Sequence, residues 1–459
     1  MKLYNSMTRQ KEELTPLLAG KVSMYVCGPT VYNYIHVGNA RPVIVFDALR
    51  RYLQYRGLDV NYVQNFTDVD DKIIRDAAAA GVPFQDYAER FIAEYFTDAR
   101  GLGVRDATVH PKATEHMDGI IDMVQDLIAK GFAYEAEGDV YFRTKTCEQY
   151  GALSHQPLED LEAGARIEVD TRKEHAMDFA LWKAVKAGEP SWTSPWGEGR
   201  PGWHIECSVM SNHYLGKTID IHCGGQDLCF PHHENEIAQS EAANGQKFVN
   251  IWLHNGFLNI DNEKMSKSKG NFFTLREVAN VYGYLPVRFF MLSAHYRSPI
   301  NYSQESLEQS AAALERLKTA VENWRHHAEA GPEGAGMGNQ AEYRQRFNAA
   351  MDDDFNTAGA IGVVFELVRE VNTAVGEGAS AQFAKDAIAL LEEFDGIFGL
   401  LPEQKKAGLS PEIEALIELR QTARAAKNWA ESDRARNELA ALGITLKDTP
   451  QGLQVIDNR

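Results

Sequence analysis

The sequence predicts an α/β fold built on a parallel sheet, followed by a helical bundle and a small C-terminal module. In the first 300 residues, short β-branched and apolar runs alternate with helical patterns, which is typical of parallel-sheet domains. After Pro299, apolar residues recur at steps of three and four, which indicates helices. The predicted strands are residues 22–26, 61–65, 217–222 and 248–253.

Length and composition are typical of a globular protein with several domains. The 459 residues are enough for roughly three domains, and 44% apolar and 24% charged residues are ordinary values for such a protein. The longest apolar runs, such as 43–46, are far too short to cross a bilayer, and residues 2–13 lack the apolar centre of a signal peptide. Five cysteines favour a reducing compartment over a disulfide framework. We therefore expect a cytoplasmic protein that does not contact a membrane.

Changes in residue pattern mark the boundaries between regions. Residues 106–200 are rich in Gly, Pro and charged side chains, and we interpret them as a less regular insertion between two halves of the sheet. The glycine-rich linker 331–336 ends a long predicted helix, and a second linker at 402–411 precedes the C-terminal module. The periodic apolar positions of that helix are Leu307, Ala311, Leu314, Leu317, Val321 and Trp324.

The first predicted strand leads into a turn suited to bind phosphate. An apolar, turn-rich run at 24–30 is followed by His-Val-Gly-Asn at 36–39 and then by the periodic segment 43–53. This order predicts a strand, a tight turn and a helix N-terminus, where backbone N–H groups and the helix dipole favour an anion. Two lysines and two serines at 264–268 are typical of a loop that closes over charged oxygens. Each motif alone is weak.

Thiol, imidazole and carboxylate groups on three separated segments make a candidate tetrahedral zinc site. The candidate ligands are Cys27, Cys207, His232 and Glu236. The first cysteine ends the first strand, and the histidine and glutamate lie one turn apart at the start of a helix. Cys223 and Cys229 are rival ligands. Because no Cys-x-x-Cys pair anchors the site, the cysteines also fit a purely structural role in the core.

A formal net charge of −18 opposes binding of a polyanion unless the surface is locally basic. A basic cluster lies near the C-terminus, where Arg420, Arg424 and Lys427 are spaced to share one helix face. Arg434 and Arg436 follow. A solvated surface helix explains the same charges, so both interpretations stay open on charge alone.

Several long segments together resemble the class I aminoacyl-tRNA synthetases, and among them the bacterial cysteinyl-tRNA synthetases. The turn at 36–39 and the loop at 264–268 match the two nucleotide signatures of class I. The similarity runs over essentially the whole chain. The segments that carry it are 25–32, 65–72, 202–207, 230–236, 264–268 and 351–357.

The resemblance implies one zinc ion per chain, bound by the four candidate ligands named above. The two rival cysteines then have ordinary structural roles. Cysteine and serine differ only in sulfur for oxygen, and shape alone separates such near-isosteres by about 10–200-fold. Zinc prefers thiolate to hydroxyl, so an accessible coordination position selects cysteine, and no editing domain is expected.

The same resemblance implies that L-cysteine and ATP, with Mg²⁺, form cysteinyl-adenylate, and that the cysteinyl group passes to the 3′ end of tRNA(Cys). A carboxylate is already a nucleophile, so the site has to align the reactants and neutralise phosphate charge. The catalytic residues implied are His36, Asn39, Lys264 and Lys267. His36, Gly38, Asn39, Gly225, Asp227 and Lys267 are implied to bind ATP. Thr67, Trp203 and His222 are implied to form the substrate pocket.

The resemblance also implies a domain order. A Rossmann-type catalytic domain in two halves is interrupted by an insertion and followed by a stem-contact region, a helical bundle and an anticodon-binding module. The implied boundaries are 1–105, 106–200, 201–270, 271–310, 311–401 and 402–459. The residues implied to bind tRNA are Arg420, Arg424, Arg434, Arg436 and Asp448. We expect the protein to be a monomer.

Two other functions fit parts of the sequence. A related ligase would activate cysteine on the same core and transfer it to an amino sugar, but residues 402–459 argue against it because such an enzyme should lack an anticodon module. A zinc-stabilised RNA-binding protein without catalysis is the second alternative. It would have no use for the loop at 264–268, which resembles a pyrophosphate clamp.

Overall fold

The computed structural model describes residues 1–155, 171–261, 263–264, 273–401, 411–449 and 452–457. The chain forms two compact units, one of residues 1–311 and 348–361 and the other of residues 312–347 and 362–459. No helix within the described ranges is both long enough and apolar enough to cross a membrane.

The strands are short, and most of them belong to the first unit. In chain order, the strands of the described residues are Lys2–Asn5 (β1), Gln10–Glu13 (β2), Lys21–Val26 (β3), Asp59–Gln64 (β4), Ala133–Ala136 (β5), Asp139–Phe142 (β6), Phe179–Ala184 (β7), Trp192–Ser194 (β8), Gly197–Pro201 (β9), Ile219–Gly225 (β10), Val249–Asn255 (β11), Leu258–Ile260 (β12), Glu263–Lys264 (β13), Ile300–Tyr302 (β14), Ile444–Thr449 (β15) and Gly452–Asp457 (β16).

Helices connect the strands of the first unit and form most of the second. The α-helices of the described residues are Val37–Tyr55 (α1), Asp71–Ala80 (α2), Phe84–Gly101 (α3), Met117–Ala129 (α4), Trp203–Leu215 (α5), Glu234–Asn244 (α6), Leu275–Tyr282 (α7), Tyr284–Leu292 (α8), Gln304–Ala330 (α9), Gln340–Asp352 (α10), Thr357–Gly376 (α11), Ala381–Phe398 (α12), Pro411–Ala425 (α13) and Trp429–Ala441 (α14).

The centre of the first unit is a four-stranded parallel sheet in the order β11-β10-β3-β4. These are the four strands that the sequence predicts. Met24 on β3 pairs with Tyr62 on β4 and with Ile221 on β10. The connection from β3 through α1 leads to β4 at one edge, whereas the connection from β10 through α6 leads to β11 at the other. Parallel sheets bind ligands at such a divergence, beyond the carboxyl ends of the strands.

Helix α1 begins where the sequence predicts, because the turn before it caps the helix. His36 is the N-cap residue, and its Nδ1 accepts a hydrogen bond from the Asn39 N–H at 3.2 Å. In return, the Asn39 side-chain oxygen accepts from the His36 N–H at 3.4 Å. This reciprocal arrangement is a capping box, which satisfies two backbone donors at the start of α1. It gives the turn at 36–39 a defined conformation.

A buried charge network joins α1 to α8. Asp47 on α1 accepts hydrogen bonds from Arg50 at 2.8 Å and from Arg288 on α8 at 2.9 Å, and it forms an ion pair with Arg51 at 2.9 Å. Burial by itself would raise the pKa of the Asp47 carboxyl. The guanidinium groups of Arg288, Arg51 and Arg50 nevertheless hold the pKa of Asp47 below its ordinary value. One buried carboxylate is therefore the shared counter-ion of three arginines in the core.

Residues 348–361 return to the first unit after a long excursion of the chain. Asp354 is fully buried there, and its carboxylate accepts from the Tyr4 N–H at 2.8 Å, the Tyr296 hydroxyl at 2.9 Å and Arg297 Nε at 2.8 Å. The Asp354 N–H donates to the Lys2 carbonyl oxygen at 2.9 Å. One side chain thus ties β1 to the segment before β14.

The insertion predicted at 106–200 is more regular than its sequence suggests. It contains α4 and a five-stranded antiparallel sheet in the order β5-β6-β7-β9-β8. These strands have only three to six residues each. Because such short strands contain too few residues to show an alternating pattern, the sequence indicates only an irregular stretch.

The second unit is helical, as the sequence predicts. The periodic positions Leu314, Leu317, Val321 and Trp324 of α9 are buried, and the Trp324 indole donates to the Asn372 side chain at 2.7 Å. α9 ends at Ala330, and the predicted linker 331–336 is not helical. Near the C-terminus, α13, α14 and the β15-β16 hairpin share a small core of Ile413, Leu439 and Ile444.

Candidate active site

A cavity of about 520 Å³ opens at the carboxyl ends of β3 and β10, where the connections of the parallel sheet diverge. The turn after β3, the first residues of α1, the end of β10 and the segment 255–258 form its wall. It brings together residues that are far apart in the sequence. The residues predicted from the sequence that line it are Cys27, His36, Gly38, Asn39, Trp203, Gly225 and Asp227.

The His36 turn presents hydrogen-bond donors to this cavity. Because His36 Nδ1 accepts the bond from Asn39, the ring proton is on Nε2. The first N–H groups of α1 have no partner within the helix, and the helix dipole adds partial positive charge at the same place. The turn is therefore a chemically suitable seat for a phosphate group.

The chain that follows the predicted lysine loop is attached to the same turn. The Val37 N–H donates to the Phe273 carbonyl oxygen at 3.1 Å, and the Leu275 N–H donates to the Ile35 carbonyl oxygen at 2.8 Å. Lys267 lies outside the described residues, and Lys264 is described only as part of the backbone of β13. The predicted roles of these two lysines stay predictions.

The predicted zinc ligands converge around Cys27, the one of the four that lines the cavity. Cys27 Sγ lies 3.7 Å from Cys207 Sγ and 3.3 Å from Glu236 Oε1, and His232 Nε2 lies 3.1 Å from the same carboxylate oxygen. The four ligand atoms all lie within 4.8 Å of one another. Two thiols, an imidazole and a carboxylate at such distances are a donor set that fits zinc.

A second arrangement of the same groups satisfies the same distance limit. It consists of Cys27, His222, His233 and Glu236 and shares two members with the predicted set. His222 Nε2 lies 2.8 Å from Glu236 Oε2, a position suited to orient the carboxylate from behind. We favour the predicted set because it offers two thiolates rather than one.

The protonation states of the cluster reflect close contact between buried groups. The hydrogen bond from Cys27 lowers the pKa of Cys207 to about 6, whereas burial raises the pKa of Cys27 well above its usual range. Burial opposes ionisation of Glu236, but His222 and His232 hold the pKa of Glu236 at about 2. Against the effect of burial, Cys207 and Glu236 raise the pKa of His232 to about 10. An anionic thiolate and carboxylate are the forms that bind a metal.

The two glycines at the end of β10 leave room for neighbouring side chains of the site. A Cβ on Gly224 would lie 2.6 Å from the His233 ring, and one on Gly225 would lie 2.4 Å from Asp227 Oδ1. Asp227 is exposed in the cavity wall. Larger residues at positions 224 and 225 would clash with these side chains, so the two glycines are required for steric reasons.

The three predicted pocket residues occupy different environments. Trp203 lines the cavity with 39% of its surface exposed, and its ring centroid lies 4.4 Å from that of His232. Thr67 is buried and donates to Glu206 Oε2 at 2.7 Å. His222 is fully buried behind Glu236. Of the three, Trp203 is the one placed among the lining residues of the cavity.

Three family profiles together match most of the chain. The profile described as the class I (C) tRNA synthetase catalytic domain matches residues 13–312. The DALR domain profile matches residues 346–402, and the profile of the cysteinyl-tRNA ligase anticodon binding domain matches residues 406–455.

Full-length relatives agree with these profiles. A cysteine–tRNA ligase of Clostridioides difficile is 55% identical over 461 aligned residues, which cover 99% of each chain. A cysteine–tRNA ligase of Symbiobacterium thermophilum is 54% identical over 465 aligned residues with the same coverage. The chain belongs to the cysteine–tRNA ligase family. Its members are enzymes that form an aminoacyl-tRNA, and the family predicted from the sequence is confirmed.

Solved structures of other synthetases share the fold of this cysteine–tRNA ligase family member. A Mycobacterium tuberculosis methionyl-tRNA synthetase in complex with methionyl-adenylate aligns with a TM-score of 0.62 and 15% identity, over 83% of this chain and 90% of that one. A putative arginyl-tRNA synthetase of Campylobacter jejuni aligns with a TM-score of 0.56 and 14% identity, over 83% and 92% of the two chains. The predicted class I fold is confirmed.

Several cavity residues of this family member were not singled out from the sequence. Lys72 is the clearest example, because its ammonium lies 5.0 Å from the centre of the Tyr32 ring and both residues line the cavity. The wall at 255–258 is another. Lys72 is within the resembling segment 65–72, so it had a signal in the sequence, whereas the wall has only an apolar pattern.

The C-terminal residues predicted to bind tRNA also differ in placement. α13 ends at Ala425 and Lys427 has a φ of +58°, so Lys427 does not share a helix face with Arg420 and Arg424 as predicted. Arg420 is 95% buried, which gives no support to a phosphate contact, whereas Arg424 is exposed.

The remaining two arginines are exposed on α14. Arg434 pairs with Glu431 at 2.6 Å, and Arg436 pairs with Asp433 at 3.3 Å. Exposed pairs of this kind are weak and exchange readily for other partners. Asp448 lies in β15, and its side chain is outside the described residues.

Proposed function

We propose that the chain activates L-cysteine with ATP to cysteinyl-adenylate and transfers the cysteinyl group to the 3′ end of tRNA(Cys). The observation that carries this proposal is the shared cavity. Cys27 of the thiol-rich cluster and the capped N-terminus of α1 line the same 520 Å³ cavity, so a thiol-bearing substrate and a phosphate chain can be held side by side.

The activation step needs alignment more than proton transfer. The cysteine carboxylate attacks the α-phosphorus of ATP, a P–O bond forms, and the bond to pyrophosphate breaks. His36 Nε2–H and the positive end of the α1 dipole would stabilise charge on the phosphates, with Gly38 leaving room at the backbone. Mg²⁺ would accompany ATP. From the sequence, we assign Lys264 and Lys267 to the departing pyrophosphate.

The predicted cluster would hold the zinc ion. Cys27, Cys207, His232 and Glu236 fit because thiol, imidazole and carboxylate atoms lie within 4.8 Å of one another in a buried place. When bound, zinc would supply a Lewis-acid position that prefers a thiolate to a hydroxyl. Trp203 covers the His232 ring at 4.4 Å and would shield the substrate side chain from solvent.

The transfer step uses the C-terminal domain for recognition. A terminal ribose hydroxyl of tRNA attacks the adenylate carbonyl carbon, and AMP leaves. Arg424, Arg434, Arg436 and Asp448 are proposed to contact the anticodon region. The domain boundaries predicted at 105, 200, 270, 310 and 401, the monomeric state and the cytoplasmic location stay predictions.

Cysteine-dependent exchange of labelled pyrophosphate into ATP tests the first half of this proposal. We expect exchange with cysteine and almost none with serine, because the two differ mainly in affinity for a metal. A full-length protein that shows no cysteine-dependent exchange would contradict the proposal. Charging of tRNA(Cys) compared with an amino-sugar acceptor then tests the second half.

A further inference from the structure

Arg41 is a fully buried cation in the second turn of α1 whose partners are backbone carbonyl oxygens. Its Nη1 donates to Gly256 at 2.7 Å and to Phe257 at 3.0 Å. Its Nη2 donates to Ser298 at 2.6 Å and to His295 at 3.2 Å. One guanidinium therefore joins α1 to two separate segments of the chain.

Within the described ranges no carboxylate pairs with Arg41, in contrast to the buried arginines Arg50, Arg51, Arg200 and Arg288. Burial lowers the pKa of Arg41 to about 10, and among the described residues no acidic group offsets this effect. Arg288 is equally buried, but it pairs with Asp47 at 2.9 Å and also donates to the Leu102 carbonyl at 3.1 Å. Burying a cation without an anion is costly, so the geometry that the carbonyl bonds impose has to serve a purpose.

The carbonyl acceptors on the first segment belong to the cavity wall. On α1, Gly38, Asn39 and Pro42 line the cavity on either side of Arg41 in sequence, and across from them the wall is formed by 255–258. The wall is held from behind as well, since a Cβ on Gly256 would lie 2.5 Å from the Arg297 carbonyl oxygen. The span of the cavity between helix and wall is thus fixed by the guanidinium.

We propose that Arg41 is a positioning residue that sets the distance between the first turns of α1 and the wall at 256–258, and thereby shapes the binding site for ATP. This rests on the proposed function, which takes the cavity as the ATP site. Arg41 donates to none of the four predicted zinc ligands. The cysteine end of the cavity is therefore independent of it.

Steady-state pyrophosphate exchange by the full chain tests the proposal with Arg41→Lys. The lysine keeps the charge but loses the planar fork that reaches both segments. We expect the KM for ATP to rise about ten- to a hundredfold, because small misplacements of a binding wall cost this much. The KM for cysteine should stay within about twofold.

Arg288→Lys is the matched control, because it alters an equally buried arginine that is paired with a carboxylate. It should lower the unfolding midpoint and leave the KM for ATP unchanged. Gly256→Ala provides a second variant that disturbs the same wall and retains the guanidinium, and it should raise the KM for ATP alone. It also covers the case in which Arg41→Lys fails to fold.

Two results would overturn the role of Arg41. One is an unchanged KM for ATP in folded Arg41→Lys, or in Gly256→Ala if Arg41→Lys does not fold, and the other is a parallel rise in the KM values for ATP and cysteine. Pyrophosphate exchange by the wild-type protein distinguishes loss of the positioning role from failure of the proposed function. If the wild type shows cysteine-dependent exchange and the variants behave normally, only the positioning role is lost.

Discussion

Cys27 and Cys207 are 180 positions apart, yet their sulfur atoms lie 3.7 Å from each other. The parallel sheet places the end of β3 against α5, and the chemistry of the cavity depends on that contact. A side chain that only fills space at this place would be apolar. Two thiols beside a buried carboxylate are instead suited to a soft divalent metal.

The ligand assignment can be tested with two serine variants. We expect Cys207→Ser to retain less zinc and to discriminate less well between cysteine and serine, because one of the two thiolates is gone. Cys229→Ser should retain the metal, since Cys229 belongs to neither candidate ligand set and its Sγ donates to the Leu153 carbonyl oxygen at 3.7 Å. Metal content by mass spectrometry and exchange with both amino acids measure this.

His233→Asn separates the two possible ligand sets. If the predicted set binds the metal, this variant should keep zinc while Cys207→Ser loses it. The opposite pattern would show that Cys27, His222, His233 and Glu236 are the ligands. Loss of zinc only in Cys229→Ser would contradict both.

Gly28 is a second residue whose identity is restricted by its surroundings, which leave no room for a side chain. A Cβ at this position would lie 1.6 Å from the Asn65 carbonyl oxygen, so β3 and the end of β4 would have to move apart. We expect Gly28→Ala to cost about 1–3 kcal/mol of unfolding free energy or more. Gly362→Ala, on α11 with nothing within 4 Å, should be neutral or stabilising by up to about 1 kcal/mol. Unfolding in urea measures both effects. Equal unfolding midpoints for Gly28→Ala and the wild type would contradict this prediction.

Among the predicted site residues, those of the turn before α1 have the clearest local signal. His36, Gly38 and Asn39 follow one another, and their capping of α1 depends only on neighbouring residues. Arg41 and the wall at 256–258 depend on contacts across more than 200 positions of the chain, which no local pattern records. The Asp227 loop was found only through resemblance to a family.

At the scale of elements, the strongest connection described is that between α1 and α8. The carboxylate of Asp47 compensates Arg50, Arg51 and Arg288 in the core, and its pKa is held below the ordinary value. A carboxyl with a lowered pKa stabilises the fold fully above its unfolded pKa of about 4. That stabilisation is lost as the pH falls through the lower pKa of the folded protein.

Asp47→Asn should therefore destabilise the protein at pH 7 and flatten the loss of stability below about pH 4. Removing a buried carboxylate from among three buried guanidiniums is expected to cost about 3–5 kcal/mol. Urea unfolding at pH 7 and pH 3 measures both effects. Asp59→Asn is the control, because that carboxylate is exposed and lies 4.0 Å from Lys21. An acid transition in Asp47→Asn as steep as that of the wild type would exclude this role.

Elements were predicted well where their pattern is long. The four central strands and the long α9 helix have buried apolar positions with clear spacing, and the structure contains all of them. The sheet β5-β6-β7-β9-β8 was not predicted, because strands of three to six residues show too few alternations. The end of α13 at Ala425 was missed because apolar spacing does not reveal the positive φ of Lys427.

At the scale of the whole molecule, a protein with a net charge of −18 has to bind an RNA through local positive charge. Arg424 and Arg436 are exposed within the anticodon-domain match at 406–455. We expect Arg424→Glu with Arg436→Glu to leave pyrophosphate exchange unchanged, to raise the KM for tRNA and to flatten its salt dependence by about one unit of slope per lost phosphate contact.

Arg90→Glu with Arg100→Glu, both on α3, controls for net charge, since it also replaces two exposed arginines. It changes the charge by four per chain, as the C-terminal double variant does, without touching the residues assigned to tRNA. A salt slope for tRNA binding that is the same in all three proteins would remove the anticodon role of the two C-terminal arginines.

The return of residues 348–361 to the first unit determines when that unit can be completed on the ribosome. Asp354 supplies the acceptor for the Tyr4 amide and the Tyr296 hydroxyl, so these bonds cannot form until the helices between have been synthesised. Nascent domains usually fold once their own residues have emerged. Here the N-terminal strand waits for a segment made more than 300 residues later. Nascent chains released at 347 and at 361 should therefore differ sharply in protease resistance, although only fourteen residues separate them.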